Sequence, residues 1–147
     1  MANYVKRTAV RLIVVKGDGA LLLVRYDRPQ ADGGPFWVPP GGGVEAAETF
    51  VQAAKRELQE ETGICADIDS ELWNLTVEFN VGETVIAQAE KYFLVALKEV
   101  PPNLRNTTPE AIAEHRWWSI GELSATSQTI YPEGLVDLLR KSGVPFV

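Results

Sequence analysis

The sequence predicts an α/β domain, with helices packed on a mixed sheet. β-branched apolar runs precede the segment from Gly42 to Ile64, and alternating apolar residues follow it. Inside that segment the apolar residues change to helical spacing, and a second helical pattern lies near the C-terminus. Strands before and after a central helix favour an α/β/α layer arrangement.

Composition and charge limit the class of protein. A chain of 147 residues fits a single domain, 1–147, with a sizeable core. With 46% hydrophobic and 23% charged residues, the chain has the composition of a globular protein. The net charge of −6 argues against a groove that neutralises nucleic-acid phosphates. We therefore expect no nucleic-acid partner.

The sequence predicts a cytoplasmic protein with no membrane contact. No stretch reaches the roughly 20 apolar residues of a membrane span, and residues 1–4 lack a hydrophobic signal region. Cys65 is the single cysteine, so an intrachain disulfide is excluded. Its position just after the central helix predicts a small buried residue.

The first elements are strands. Residues 10–15 and 20–24 are apolar, and the Gly/Asp-rich residues 16–19 between them predict a hairpin. A third short strand at residues 36–38 is stopped by Pro39 and Pro40.

Three residues near these strands are candidate ligand contacts. Arg25 and Arg28 follow the second strand, at the head of the loop from Asp27 to Pro35. They are either solvated loop charges or contacts for phosphate, which suits guanidinium geometry. Trp37 is either a core residue or a stacking face for a base.

The central helix is predicted from Phe50 to Thr62. Thr49 and Gln52 form the capping-box pattern, and Gly63 can adopt the left-handed conformation that ends helices. Residues at helical spacing give the helix a core face: Val51, Ala54 and Leu58.

Glu57, Glu60 and Glu61 gather on another face of this helix. Like charges at i,i+4 cost roughly 0.2–0.5 kcal/mol, and all three lie at the negative end of the helix dipole. A hard divalent cation would compensate, because it takes carboxylate oxygens. The helix alone leaves two interpretations: a metal site, or a solvated acidic face near Lys55 and Arg56.

The second half of the chain predicts a strand pair, a long connection and a final helix. Alternating residues 72–79 and the run within residues 84–97 are strands joined by a turn. Polar residues of this pair either line a cleft or face solvent: Glu78, Gln88 and Glu90. Residues 99–113 form a long connection, and the helix opens at residues 131–133. Gly143 ends this helix, and three leucines form its apolar face: Leu135, Leu138 and Leu139.

The spacing of the central segment favours the metal site. Gly42, Glu48 and the string Arg56-Glu57-Leu58-x-Glu60-Glu61-x-Gly63-Ile64 resemble the Nudix box without a mismatch at its defining positions. The preceding residues 37–42 also resemble the segment before the box. Ala47 departs from the glycine that many members carry, which concerns only the local loop conformation. The resemblance extends more loosely from Val10 to Leu123, with a strand and short helix near its end.

The resemblance implies the Nudix-type α/β/α sandwich with a central mixed β-sheet. It also implies a MutT-like hydrolase that cleaves a diphosphate bond in a nucleoside diphosphate linked to another group. The cofactor would be Mg²⁺, with Mn²⁺ possible. The implied ligands of the metal are the carbonyl of Gly42 and three carboxylates: Glu57, Glu60 and Glu61.

The implied catalytic residues include a general base that the resemblance does not fix. The candidates are Glu57, Glu60 and a late-loop acid, Glu110, with Glu114 as its rival. Arg56 should orient the acids, and Glu48 is expected to be a structural partner. His115, the only histidine, is expected to flank a strand.

Three functions stay open at this point. The first is hydrolysis of a small-molecule nucleotide, with a nucleoside triphosphate as the leading substrate. The alternative is a Nudix-fold nucleotide-binding or regulatory domain without turnover, which is typical of chains that have lost box acids. The last is an acidic-helix interaction module, which would make the glycine and arginine positions coincidental. A homodimer is possible, since similar proteins commonly form one.

Overall fold

The computed structural model describes residues 3–27, 34–109 and 111–144. In these ranges no helix is long and apolar enough to cross a membrane. The elements in chain order are β1 (Asn3–Val15), β2 (Leu21–Tyr26), β3 (Phe36–Val38), β4 (Gly41–Gly43), α1 (Phe50–Thr62), β5 (Ser70–Val81), β6 (Thr84–Ala96), β7 (Ile112–Trp118), α2 (Ile120–Ala125) and α3 (Leu135–Lys141).

The strands form a mixed sheet, as predicted. The order is β3-β2-β1-β6-β5, with β4 paired to β1 and β7 paired to β2. β1 and β6 are parallel along their full length, and the other pairs are antiparallel. The predicted hairpin of β1 and β2 pairs at Val15 and Leu21. Beyond that point β4 takes the place beside β1, which brings the glycine loop onto the central strand.

The helices cover both faces of the sheet, so the α/β/α sandwich is confirmed. Alternate residues of β1 point to opposite faces. Val10, Leu12 and Val14 pack in the core that includes Ala54 and Leu58 of α1. The other face of β1 packs in a second core with residues from α2 and α3: Ile13, Val15, Leu123, Leu135 and Leu139.

Helix α1 begins and ends where the sequence predicts, but its buried face is rotated. Thr49 and Gln52 form both bonds of the capping box, and Gly63 is left-handed with φ 78°. Val51 is 44% exposed, contrary to the core position predicted for it. The buried stripe instead passes through Ala53 and Glu57, and Val51 lies at its edge.

Two further burial predictions are wrong. Cys65 is exposed, although Ile64 beside it is 3% exposed and packs in the core. Gln88 and Glu90 are each 6% exposed, so the solvent-facing alternative is wrong for them. They share one face of β6, whereas Ala89 between them is exposed on the other face. Glu78, on the edge strand β5, is exposed as expected.

The buried Glu90 carboxylate is held by a hydrogen-bond network. It accepts from Arg11 Nε at 3.1 Å, Gln88 Nε2 at 2.9 Å and the Tyr92 hydroxyl at 3.3 Å. Burial lowers the pKa of Arg11, but the charges of Glu90, Tyr92 and Glu61 and the hydrogen bond to Glu90 together outweigh it, and the pKa is raised. Burial, with the neighbouring carboxylate, also raises the pKa of Tyr92. The ion pair between Arg11 and Glu90 therefore joins the two parallel central strands.

Removal of the Glu90 carboxylate should be strongly destabilising. Glu90→Ala leaves the Arg11 charge with no carboxylate partner in a nearly buried position, and breaking such pairs costs about 3–5 kcal/mol. Glu71→Ala is the matched control, because Glu71 is 49% exposed and pairs with Lys91 at the surface. We expect a loss below about 1 kcal/mol for that variant. Urea unfolding measures both, and equal losses would contradict the role of Glu90.

Candidate active site

The side chain of Arg56, in the middle of α1, gathers the acids of the site. Nε and Nη2 donate to the two carboxylate oxygens of Glu48 at 2.7 and 2.9 Å. Nη1 donates to Glu57 Oε1 at 2.8 Å and to Glu60 Oε2 at 3.2 Å. Nη2 also donates to the carbonyl of Gly43 at 2.9 Å. Every N–H of the guanidinium is used, so Arg56 fixes these acids relative to the glycine loop.

The contact with Arg56 fixes the charge of Glu48. The hydrogen bonds from Arg56, together with that from the backbone N–H of Glu45, lower the pKa of the Glu48 carboxyl to about 2. The bonds to Glu48 and Glu57 raise the pKa of Arg56 in turn. Both groups are charged at neutral pH. Glu48 therefore anchors Arg56, and it cannot accept a proton there at neutral pH.

Glu61 is fully buried and is held by two donors. Its Oε1 accepts from the backbone N–H of Gly41 at 2.8 Å, and its Oε2 accepts from the Tyr26 hydroxyl at 3.0 Å. A carboxylate at 0% exposure needs such partners. No role was predicted for Tyr26, because its contact with Glu61 depends on how β2 passes the end of α1. No local pattern signals that contact.

Donors from later in the chain satisfy the last turn of α1, whose carbonyls have no partner within the helix. The backbone N–H of Gly63 donates to the carbonyl of Gln59 (2.9 Å), that of Thr107 to the carbonyl of Glu60 (2.6 Å) and that of Arg105 to the carbonyl of Thr62 (3.0 Å). Nε2 of His115 donates to the carbonyl of Glu61 (2.6 Å). Nε2 is assigned as the donor because a carbonyl oxygen only accepts. These donors bring partial positive charge to the end of the helix where the glutamates cluster, which offsets part of their repulsion.

Each glycine of β4 brings the backbone close to a different group. A Cβ on Gly41 would lie 2.0 Å from the carbonyl of Val10, so this position requires glycine. A Cβ on Gly42 would lie 2.7 to 2.8 Å from the carboxylate of Glu57. Gly43 faces the other way, toward Arg7. The loop thus lies directly against the acidic helix on one side.

Ala47 is left-handed, with φ 66°. This is the position at which the sequence departs from the glycine of many Nudix proteins. The backbone keeps a conformation that favours glycine, at a cost of roughly 1–2 kcal/mol for a residue with a Cβ.

The predicted substrate contacts are only partly brought to the site. Arg25 pairs with Asp27 and with Glu114, at 2.9 and 2.6 Å. Trp37 is 2% exposed, and its Nε1 donates to Gln128. Packing in the second core leaves Trp37 no face for a base, so that prediction is wrong and its core alternative is correct. Arg28 and Glu110 lie outside the described residues.

The predicted metal ligands are adjacent but are not arranged as a metal site. In residues 3–27, 34–109 and 111–144, no three acidic, histidine or cysteine side chains converge on one point. Glu57 and Glu60 share Nη1 of Arg56, whereas Glu61 is turned to Gly41 and Tyr26. Arg56 thus holds two of the three carboxylates side by side.

The chain is similar in sequence and in fold to known proteins. A family model for the NUDIX domain matches residues 5–139. An RNA pyrophosphohydrolase from Teredinibacter turnerae is 27% identical over 163 residues, covering 96% of this chain and 92% of that protein. An oxidized purine nucleoside triphosphate hydrolase from Danio rerio is 40% identical over 73 residues, covering 50% of this chain and 45% of that protein. The crystal structure of a MutT protein from Methanosarcina mazei Go1 superposes with a TM-score of 0.69 at 20% identity, covering 96% of this chain and 95% of that one.

The Glu48–Arg56 pair should make the free energy of unfolding depend on pH in the acidic range. The pKa of Glu48 is lowered from 4.5 to about 2, so its stabilisation is present above pH 4.5 and is lost as the pH falls toward 2. We expect Glu48→Gln to be less stable than wild type at neutral pH, with the difference shrinking over that window. Denaturant unfolding at fixed ionic strength measures the free energies.

Glu45→Gln is the control for this measurement. The Glu45 carboxylate is 69% exposed and lies 3.9 Å from Arg56, so its removal should change little. A difference between wild type and Glu48→Gln that stays constant across the window would rule out the pair as its source.

Proposed function

Because the chain belongs to the Nudix family, we propose that it hydrolyses a diphosphate bond in a nucleoside diphosphate linked to another group. A nucleoside triphosphate is the leading substrate. The relatives include an RNA pyrophosphohydrolase and an oxidized purine nucleoside triphosphate hydrolase. One observation carries the proposal: the guanidinium of Arg56 donates hydrogen bonds to Glu48, Glu57 and Glu60, beside the buried Glu61. Buried acids destabilise a protein, so their retention favours a chemical role.

The donor chemistry of the site fits a divalent cation. Carboxylate and carbonyl oxygens are the ligands that Mg²⁺ prefers. The absent Cβ of Gly42 leaves room for the Glu57 carboxylate directly against the loop backbone. We assign Mg²⁺, or Mn²⁺, to the carboxylates of Glu57, Glu60 and Glu61 with the carbonyl of Gly42. When bound, the cation supplies charge that neutralises phosphate oxygens and makes water a better nucleophile.

The chain's own residues supply position and proton transfer. Arg56 orients Glu57 and Glu60 through hydrogen bonds from one nitrogen. Glu60 is 38% exposed, so it is open to solvent water and suits a general base better than the buried Glu61. Glu57 and Glu110 stay candidates for that role. Glu48 is excluded, because its low pKa makes it a poor proton acceptor.

Three aromatic rings near Glu61 suit the base of a nucleotide. Tyr26 and Phe36 are stacked with centroids 5.6 Å apart, and Phe36 meets the edge of Tyr131 at 5.4 Å. Tyr131 is 49% exposed, and Tyr26 donates to Glu61. We assign base stacking to this group in place of the buried Trp37. Arg25 and Arg28 remain proposed phosphate contacts; Arg25 would first have to leave its carboxylates.

Product analysis on a substrate panel tests the proposal. The panel holds canonical and oxidised nucleoside triphosphates, ADP-ribose, dinucleoside polyphosphates, nucleotide sugars and a 5′-triphosphorylated RNA oligonucleotide, each with and without Mg²⁺. We expect metal-dependent cleavage of a nucleoside triphosphate, with monophosphate and pyrophosphate as the products. Binding of a nucleotide with no cleavage would favour the alternative, a Nudix-fold binding or regulatory domain. Cleavage of the RNA alone would overturn the small-molecule substrate.

Glu61→Gln should abolish most activity while the fold is kept. The substitution preserves the volume of the buried side chain but removes its charge. We expect turnover to fall at least about 100-fold, the scale seen for charge-stabilising groups. Thermal unfolding without metal should be unchanged or higher, because repulsion between glutamates is relieved. In wild type Mg²⁺ should raise the melting temperature, and in Glu61→Gln this shift should be absent.

The exposed Glu45 provides the control, since Glu45→Gln removes the same charge near the site. That variant should keep turnover and the thermal shift by Mg²⁺. Unchanged turnover of Glu61→Gln at saturating Mg²⁺ would refute the metal assignment.

Gly42→Ala should reduce turnover without unfolding the protein. The three atoms nearest to the new methyl group all belong to the end of the Glu57 side chain, which can shift, so we expect a stability loss of about 1 kcal/mol. Displacement of Glu57 by about 1 Å should cost turnover up to about 100-fold. Gly17→Ala is the control, because nothing lies within 4 Å of the added atom. Full activity of Gly42→Ala would show that the position of Glu57 is not critical.

A further inference from the structure

Arg7 of β1 lies beside the glycine loop on the face opposite the acidic helix. A Cβ built on Gly43 would be 3.6 Å from Arg7 Nη2, and one built on Gly42 would touch Glu57. Adjacent residues of a strand point to opposite faces. The loop therefore separates two charged groups, with the carboxylate of Glu57 on one side and the guanidinium of Arg7 on the other.

The guanidinium of Arg7 differs from those of the other arginines near the site. Arg11, Arg25 and Arg56 each form salt bridges with carboxylates. The side chain of Arg7 forms no salt bridge or hydrogen bond with the described residues, and it is exposed. In a chain with net charge −6, a cation that has no carboxylate partner near a cluster of acids can attract an anion.

The guanidinium of Arg7 packs directly beside the backbone of Gly43. A Cβ built on Gly43 would lie 3.6 Å from Arg7 Nη2 and 4.0 Å from the carbonyl of Thr8, which are ordinary van der Waals distances. The Gly43 carbonyl is tied to Arg56 at 2.9 Å, which fixes this backbone relative to the acids.

We propose that Arg7, whose side chain is exposed beside Gly43, binds a phosphate group of the substrate through the outward N–H groups of its guanidinium. This rests on the proposed function, and it adds a residue that the Nudix-box pattern does not contain. Guanidinium groups match phosphate oxygens in geometry. With the acids on one side of the loop and Arg7 on the other, the diphosphate would pass across the edge of β4. Arg7 would then take the place near the loop that Arg25, paired with Asp27 and Glu114, does not fill.

Steady-state kinetics of Arg7→Gln on the cleaved nucleotide test this role. We expect KM to rise about tenfold, equivalent to about 1.4 kcal/mol, with kcat changed less than about threefold. Arg7→Lys should recover part of the loss, because lysine keeps the charge without the planar donors.

Lys6→Gln is the matched control. Lys6 is also exposed and carries the same charge one residue away, and alternation along β1 places it on the opposite face. Its KM should stay within about twofold of wild type. Equal KM values for Arg7→Gln and wild type would overturn the proposal. Equal increases in Arg7→Gln and Lys6→Gln would also overturn it, because they would reflect net charge alone.

A binding measurement separates this inference from the proposed function. Calorimetric titration with inorganic tripolyphosphate, in the presence of Mg²⁺, needs no turnover. Weaker binding to Arg7→Gln than to Lys6→Gln supports the role of Arg7 even if wild type cleaves no nucleotide. If wild type cleaves nucleotides but both variants bind tripolyphosphate as wild type does, Arg7 is not a phosphate contact and the proposed function stands. Absence of tripolyphosphate binding to wild type overturns the inference.

Discussion

Compensation of negative charge at the C-terminal end of α1 is the constraint on which the site depends. Glu57 and Glu61 are nearly or fully buried, and both lie where the helix dipole disfavours anions. Arg56 offsets this from within the helix. Tyr26, Gly41 and the donors of the late connection offset it from other elements. The sheet, the glycine loop and the late connection are thus tied to one helix end.

The glycine loop explains why these parts meet. Gly41 allows β4 to approach the backbone of β1 closely, and its N–H reaches Glu61. Gly42 lies against Glu57, and the carbonyl of Gly43 receives a bond from Arg56. A side chain at the first two of these positions would collide with backbone or with a carboxylate. Three consecutive glycines therefore serve three separate contacts.

Local patterns predicted the parts of the fold that local physics controls. The capping box of Thr49 and Gln52 and the left-handed Gly63 set the ends of α1, because each needs only neighbouring residues. The buried polar pair Gln88 and Glu90 was beyond local patterns, since their alternation looks the same on an exposed strand. The parallel pairing of β1 with β6 places Arg7 beside Gln88 and Ala9 beside Glu90, and these neighbours are far apart along the chain. The same holds for Trp37. Only the packing of α3 against the sheet shows that its ring lies in the core and not on a ligand-binding face.

The sequence by itself determined the family, the central helix and the acids that the helix carries. Those features lie within one short segment, where the spacing of residues along the chain determines on which face of the helix they lie. Only the tertiary structure decided which partners hold the acids, because Tyr26, Arg105, Thr107 and His115 are far from them in sequence. The tertiary structure also decided which arginines have a carboxylate partner. Arg25 forms a salt bridge with Glu114 only because β2 pairs with β7. Arg7 lies beside the glycine loop because β4 pairs with β1. Hydrogen bonds between strands fix such neighbours, and no local pattern along the chain records them.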